Sequence, residues 1–97
     1  MIKMVIEKGT GKKKLKAIFY DGEGKKIKTS QFGDNRYEDY TIHKDKKRRD
    51  KYRSRHKGSL EKGTYMSPSH LSYYILWGQS AALDTNISNY KKRFKLK

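Results

Sequence analysis

Lysine and arginine dominate one short segment of the chain, from His43 to Lys57. Nine of its fifteen residues are Lys or Arg and only Asp45 and Asp50 oppose them, which gives +7 of the whole-chain net charge of +15. A segment of this length can form one helix of about four turns, about 22 Å long. Because so many cations repel one another at this spacing, the segment predicts binding to an anionic or acidic partner.

The predicted binding residues are cations, since Lys and Arg bind phosphate and carboxylate groups through charge-assisted hydrogen bonds. They come from the basic segment and from the C-terminal end: Lys44, Lys46, Lys47, Arg48, Arg49, Lys51, Arg53, Arg55, Lys91, Lys92 and Arg93. A further basic cluster occupies residues 12–16. If the three clusters converge, they form one surface suited to a phosphate backbone. If they point apart, the chain can bridge several acidic neighbours.

Aromatic residues make up 12% of the chain, in which only 33% of residues are hydrophobic. With so few aliphatic residues, the tyrosines and phenylalanines are expected to supply most of the core and of any interface. Stacking on single-stranded bases is the alternative use of aromatic side chains among cations. Trp77 is the predicted apolar anchor of an interface, because Trp, Tyr and Arg dominate binding hot spots.

The chain contains residue types that catalyse reactions or bind metals in other proteins, but their spacing does not fit those roles. Gly9–Lys13 lacks the spacing of a phosphate-binding loop and the Ser or Thr that follows its lysine. His43, His56 and His70 lack the i, i+4 spacing of a metal-binding helix, and the chain has no cysteine. We therefore predict a protein that is not an enzyme and has no cofactor, metal site or small-molecule substrate.

The first 33 residues predict a three-stranded antiparallel meander. Apolar and polar residues alternate with a period of two, as in half-buried strands, in Ile2–Ile6, Leu15–Phe19 and Lys25–Phe32. Asp21–Gly24 is a tight turn, since Asp-Gly tolerates positive φ, and Gly33–Asn35 ends the third strand. Residues 41–97 read instead as two or three helices. The prediction is one small α+β domain over residues 1–97.

Capping residues mark the predicted helix boundaries. The basic helix starts at Thr41 or Asp45, either of which can cap it, and ends at Gly58. Ser67-Pro68 starts a second helix with Ser as N-cap and Pro at the first position, and this helix ends at Gly78. A last helix is predicted from four residues that share one face, with Asp84 or Ser80 as its cap: Leu83, Ile87, Tyr90 and Phe94. Within the basic helix, Tyr52 is the residue expected to pack on the core.

Several segments together resemble a family of small basic proteins from nucleocytoplasmic large DNA viruses, the chlorella-virus and giant-virus relatives. The segments are Gln31–Gly33, Asp39–Asp45, Tyr52–His56, Leu71–Gly78 and Asn86–Phe94. The family pattern runs FG, DYT-HKD, Y--RH, LS-YILWG and NI--YK-RF, and the resemblance extends over roughly residues 15–97. It implies a viral source and no established activity.

The resemblance and the charge together predict a virion structural protein, a minor capsid or cement component whose basic helix contacts acidic faces of other capsid proteins. The runner-up is a sequence-nonspecific DNA- or RNA-binding protein of such a virus, and a ribosomal-type RNA-associated protein is a third possibility. Anionic headgroups of an inner membrane are a further expected partner. The expected location is the virion, assembled in the host cytoplasm or nucleus. Tyr73–Trp77, the longest apolar run, is too short to span a membrane, and Met1–Met4 is not followed by the apolar region of a secretory signal.

Overall fold

The computed structural model describes residues 1–61 and 65–97, and the side chains of residues 58–61 lie outside that description. Its N-terminal part is a three-stranded antiparallel sheet in which β1 is Lys3–Lys8, β2 is Lys13–Tyr20 and β3 is Lys26–Asp34. The strands lie in the order β1-β2-β3. The predicted meander is confirmed.

One face of this sheet builds the core. Leu15 pairs with Phe32 and Ala17 pairs with Ser30, so the alternation of β2 and β3 brings these side chains to the same face. Ala17, Ser30 and Phe32 are buried. Ile27 of β3 points to the other face and is exposed, as expected for a sheet that packs on one side.

The described part of the C-terminal two-thirds is helical, which makes the fold α+β as predicted. The helices are α1 (Tyr40–His43), α2 (Lys46–Glu61), α3 (Pro68–Leu71) and α4 (Leu83–Arg93), and a π-helical turn, Ser72–Leu76, continues α3. No helix among the described residues is long and apolar enough to cross a membrane.

Two predicted caps are confirmed. The carboxylate of Asp45 accepts hydrogen bonds from the backbone N–H of Lys47 (2.9 Å) and of Arg48 (3.3 Å) at the start of α2. These bonds lower the pKa of Asp45. Ser67 caps α3 through the backbone N–H of His70, 3.3 Å away. Thr41, the alternative start of the basic helix, lies inside the separate short helix α1.

Two predicted boundaries were wrong. The basic helix continues through Gly58 to Glu61, because one glycine inside a helix costs only about 1 kcal/mol relative to alanine. The N-cap of α4 is Ala82, which forms no side-chain cap. Ser80 accepts a hydrogen bond from the backbone N–H of Ala82 within the preceding turn, and Asp84 lies in the first turn of α4.

The helices cover the inner face of the sheet. The predicted apolar face of α4 is confirmed, since Tyr90 is buried and Leu83, Ile87 and Phe94 pack against the core. The buried core comprises Met4, Ala17, Phe19, Phe32, Leu71, Ile75, Leu76, Tyr90 and Leu96. The chain end closes this layer, because Lys97 exchanges backbone hydrogen bonds with Ile2 and Met4 (2.9 Å each).

Asn86 fixes the loop that joins the π-helical turn to α4. Its amide nitrogen donates to the carbonyls of Ile75 (2.9 Å) and Ser80 (2.7 Å), and its Oδ1 accepts from the N–H of Ser80 (3.1 Å). Gly78 lets the loop come this close, since a Cβ there would overlap the carbonyl of Tyr74 and the amide of Asn86. The result is a fixed position for residues 77–80, against which α2 packs.

Candidate functional site

The inward face of α2 contains two arginines as well as two aromatic residues. Arg49, Tyr52, Arg53 and His56 are its half-buried residues, and their spacing of i, i+3, i+4 and i+7 places them on one side of the helix. The ring of Tyr52 stacks on Trp77 with centroids 4.2 Å apart and planes within 8°. Burial raises the pKa of Tyr52. The predicted anchoring role of Tyr52 is confirmed.

Arg49 and Arg53 fasten α2 to the rest of the fold. Arg53 donates from Nη1 to the carbonyl of Trp77 (2.9 Å), and its guanidinium lies 4.2 Å from the ring centroid of Tyr73. Arg49 donates from Nη1 to the carbonyl of Gln79 (3.2 Å).

The remaining groups of Arg49 are also engaged within the fold. Its guanidinium lies 4.9 Å from the ring centroid of Tyr40 and bonds Asp50, 3.0 Å away. Only 14% of its side chain is exposed. The partner-binding role predicted for Arg49 therefore does not fit its position, and the same role for Arg53 is restricted to the N–H groups that Trp77 leaves free.

The other predicted cations of this region are exposed. They are Lys44, Lys46, Lys47, Arg48, Lys51 and Arg55. Arg48, Lys51 and Arg55 recur at i, i+3 and i+7, so they form one flank of α2, which we call the basic flank. Lys91, Lys92 and Arg93 lie on a different helix, in the last turn of α4, where the helix dipole favours cations.

The basic flank borders a groove of about 440 Å³. Tyr52, Leu76 and Trp77 line the groove together with the basic flank. The opposite wall is residues 33–39, the end of β3 and the segment that leads to α1, and it contributes Asp34, Tyr37 and Glu38. The groove therefore has a cationic wall, an acidic wall and aromatic side chains between them.

The acidic wall is held in place by ion pairs. The Nζ of Lys14 lies 2.7 Å from Oδ2 of the buried Asp39, whose other oxygen accepts from the backbone N–H of Thr41 (2.8 Å) and from its hydroxyl. The guanidinium of Arg36 bonds Asp34 at 2.8 Å. That contact lowers the pKa of Asp34 to about 2, so this carboxylate stays ionised at neutral pH.

One contact joins the two walls across the groove. The guanidinium of Arg48 lies 3.8 Å from Oε2 of Glu38, and both side chains are more than half exposed, at 53% and 60%. A pair with this exposure contributes at most about 1 kcal/mol. An incoming charged group can therefore replace it at little cost.

The sequence predicted the cations of this groove but not its opposite wall. Asp34 ends β3, and Tyr37 and Glu38 lie between β3 and α1. Only the acidic and aromatic character of these side chains could have indicated this wall in the sequence. Trp77, predicted as an interface anchor, is half-buried against Tyr52 and lines the groove. Among residues 1–61 and 65–97, no group of three or more His, Asp or Glu is placed to hold a metal.

Comparison with known proteins gives one match. A protein-family model described as a family of unknown function (DUF5754) matches residues 5–56, more than half of the chain. The match covers most of the sheet, α1, the acidic wall and the basic flank. It ends before Ser72, Leu76 and Trp77, which also line the groove. No curated protein and no solved structure matches the chain.

Proposed function

The chain belongs to this family of unknown function, DUF5754, and we propose that it is a non-enzymatic virion structural protein of a large DNA virus. In this proposal it is a minor capsid or cement component that binds an acidic segment of a neighbouring capsid protein in the groove. The observation that carries the proposal is the basic flank of Arg48, Lys51 and Arg55 beside Tyr52 and Trp77.

The charges of the two walls favour a protein partner over a nucleic acid. Asp34 and Glu38 already pair with Arg36 and Arg48, and a phosphate that takes Arg48 leaves the carboxylate of Glu38 unpaired beside a second negative charge. A polypeptide can place an acidic side chain on the basic flank and a polar or basic one on the acidic wall. Arg, Tyr and Trp are also the residues that dominate protein interfaces.

The viral part of the proposal rests on the resemblance of five segments to the small basic proteins of large DNA viruses. Leu71–Gly78 and Tyr52–His56 are two of these segments, and they supply Trp77, Tyr52 and Arg55 to the groove. Mass spectrometry of purified particles of the virus that encodes the chain tests this part. The proposal expects the chain in the particles, and its absence there despite expression in infected cells would contradict the structural role.

The emission of Trp77 tests the binding part, because this residue is the only tryptophan of the chain and lines the groove. A glutamate–tyrosine copolymer serves as the probe for an acidic protein segment. It is expected to change the Trp77 emission saturably in the wild-type chain. In the variant Arg48→Glu/Arg55→Glu the affinity is expected to fall at least about tenfold, because two attractive charges become repulsive.

The matched control reverses two charges elsewhere on the same helix. Lys46 and Lys57 are exposed on α2 and do not line the groove, so Lys46→Glu/Lys57→Glu changes the net charge equally. The proposal expects a much smaller loss of affinity in this variant. If both variants lost the same affinity, binding would depend only on net charge. That result would contradict the groove as the binding site.

Nucleic-acid binding is the second candidate, and the cations outside the groove favour it. Lys44, Lys46 and Lys47 are exposed, and none of them forms an ion pair within the described residues. Fluorescence anisotropy with duplex DNA at about 50 and 200 mM salt tests this candidate. If six or more phosphates are contacted, affinity falls by about a thousandfold over that range, and Lys46→Glu/Lys47→Glu should abolish binding. Weak binding that ignores this variant would exclude the genome as the partner.

A further inference from the structure

A second concavity lies away from the groove, and two arginines line it. Its volume is about 160 Å³, and Arg53, Arg93, Tyr74, Gln79 and Asn89 are among its lining residues. Arg53 precedes Arg55 by two residues and therefore lies about 160° from it around the axis of α2. The concavity thus adjoins the flank of α2 that faces away from the groove.

Both guanidinium groups are held in place by aromatic rings. Arg53 lies 4.2 Å from the ring centroid of Tyr73, and its Nη1 is fixed on the carbonyl of Trp77. Arg93 lies 5.0 Å from the ring centroid of Tyr74. Tyr73 and Tyr74 pack edge to face with centroids 5.2 Å apart. Two neighbouring tyrosines thus orient two like charges toward one space.

Among the described side chains, no carboxylate pairs with these two cations. The lining residues include no carboxylate, and in the part of the chain that the structure describes neither Arg53 nor Arg93 forms an ion pair. The amide side chains of Gln79 and Asn89 add neutral hydrogen-bond donors. An arrangement of two arginines and two amides is suited to an oxyanion, which guanidinium groups bind with two parallel hydrogen bonds.

We propose that this concavity binds the phosphate group of a phosphate monoester. The space of about 160 Å³ accommodates one phosphate group. A monoester carries close to two negative charges at neutral pH, and these match the two guanidinium groups.

Titration of the full chain with inorganic phosphate, followed by NMR of the arginine Nε–Hε groups, tests the proposal. Saturable shifts are expected at Arg53 and Arg93. The variant Arg93→Gln is expected to lower the affinity about tenfold, and Arg93→Lys, which keeps the charge but not the paired donors, is expected to lower it less. Arg93 is exposed, so its substitution leaves the core intact.

Lys92→Gln is the matched control, because it removes the same charge from the adjacent exposed residue, which does not line the concavity. The proposal expects less than about a twofold change in this variant. Equal weakening by Lys92→Gln and Arg93→Gln would overturn the site and leave only diffuse attraction. The acidic copolymer and the basic-flank variants are not used here, so this result is independent of the groove.

Two further probes identify the source of the monoester. Vesicles of phosphatidylcholine with phosphatidic acid present it as a lipid headgroup. Vesicle binding that depends on Arg93 and not on Lys92 assigns it to a lipid, whereas phosphate binding without vesicle binding assigns it to a soluble ligand. Single-stranded DNA presents diesters with one charge each. A dependence on Arg93 seen with DNA but not with inorganic phosphate would overturn the monoester assignment.

Discussion

Arg48 and Arg49 follow one another on α2, but their guanidinium groups lie in different environments. The side chain of Arg48 is 53% exposed and borders the groove. That of Arg49 is 14% exposed and bonds Gln79 and Asp50 while it lies over Tyr40. Arg55, about two turns after Arg48, and Arg53, about one turn after Arg49, repeat the contrast. One helix therefore uses the same residue type both to hold the fold and to present charge.

The contrast shows that charge density alone does not define a binding surface. An arginine can pack its planar group on an aromatic ring and satisfy its donors on backbone carbonyls. In α2 the aromatic partners come from α1 and the π-helical turn, so α2 is anchored by cations on one face. Arg48 and Arg55 are exposed, and among the described residues neither lies over an aromatic ring.

The largest effect on stability is expected from loss of the stack between Tyr52 and Trp77, which anchors α2. Tyr52→Ala removes the stack on Trp77 and should lower the free energy of unfolding by about 2–3 kcal/mol, since Tyr52 is half-buried. Tyr52→Phe keeps the stack and loses only the 3.3 Å contact with the Ser72 hydroxyl, so it should cost less than about 1 kcal/mol. Denaturation with urea measures both. Equal losses would show that the hydroxyl and not the ring anchors α2.

The two kinds of arginine should differ in stability. Arg53→Ala removes a charged hydrogen bond to Trp77 and the contact with Tyr73, which together predict a loss of about 2 kcal/mol. Arg55→Ala, two residues further on, should cost less than about 0.5 kcal/mol. The same denaturation measurement compares them directly. If the two variants proved equally stable, the inward arginines would not anchor the helix.

For copolymer binding, the exposed arginines should matter more than the inward ones. Neutralising the outward pair with Arg48→Gln/Arg55→Gln should weaken binding of the glutamate–tyrosine copolymer by about tenfold, equivalent to about 1.4 kcal/mol. The unfolding free energy of this variant should stay within about 0.5 kcal/mol of the wild type. Fluorescence of Trp77 and urea denaturation on the same samples separate the two effects. If Arg48→Gln/Arg55→Gln lost stability but kept its affinity for the copolymer, these arginines would stabilise the fold and would not bind the partner.

The smallest expected effect is the pH dependence of stability that comes from the buried His70. Burial and the charge of Arg93 lower the pKa of His70. The unfolded chain takes up this proton near pH 6.5 while the folded chain still excludes it, so stability should fall as the pH decreases below about 6.5. His70→Gln should reduce this slope, as measured by denaturation between pH 7.5 and 5.

Arg93 and Lys92 are both exposed, but only Arg93 is close enough to His70 to affect the pKa of that ring. Arg93→Gln should raise the pKa of His70 above its wild-type value, because a nearby positive charge is removed. Lys92→Gln serves as the control and should leave that pKa nearly unchanged. NMR titration of the His70 ring reports both values. A larger change in the pKa of His70 with Lys92→Gln than with Arg93→Gln would contradict the assignment of this effect to Arg93.

Local sequence patterns predicted most of the fold. The period-two alternation of β1 to β3, the caps Asp45 and Ser67 and the apolar face of α4 depend on neighbours within a few residues, so the sequence contains them. The end of α2 did not follow from Gly58, since one unfavourable residue does not outweigh a whole helix. The cap predicted for α4 failed because Asn86 organises the preceding loop through three hydrogen bonds.

The candidate site was only partly predictable for the same reason. Tyr52 was identified because it is the one large apolar residue of the basic segment from His43 to Lys57. The division of the arginines depends on Tyr40, Tyr73 and Gln79, which approach α2 only in the folded chain. The acidic wall depends on the pair of Lys14 with Asp39, which are 25 residues apart.

NMR of the arginine Nε–Hε groups, with and without the glutamate–tyrosine copolymer, tests the division of the α2 cations most directly. Arg49 should exchange its Hε slowly with water and keep its shift when the copolymer is added. Arg48 and Arg55 should exchange fast, and their signals should move as the copolymer binds. Equal exchange of Arg48 and Arg49, or a copolymer shift as large at Arg49 as at Arg48, would contradict the account.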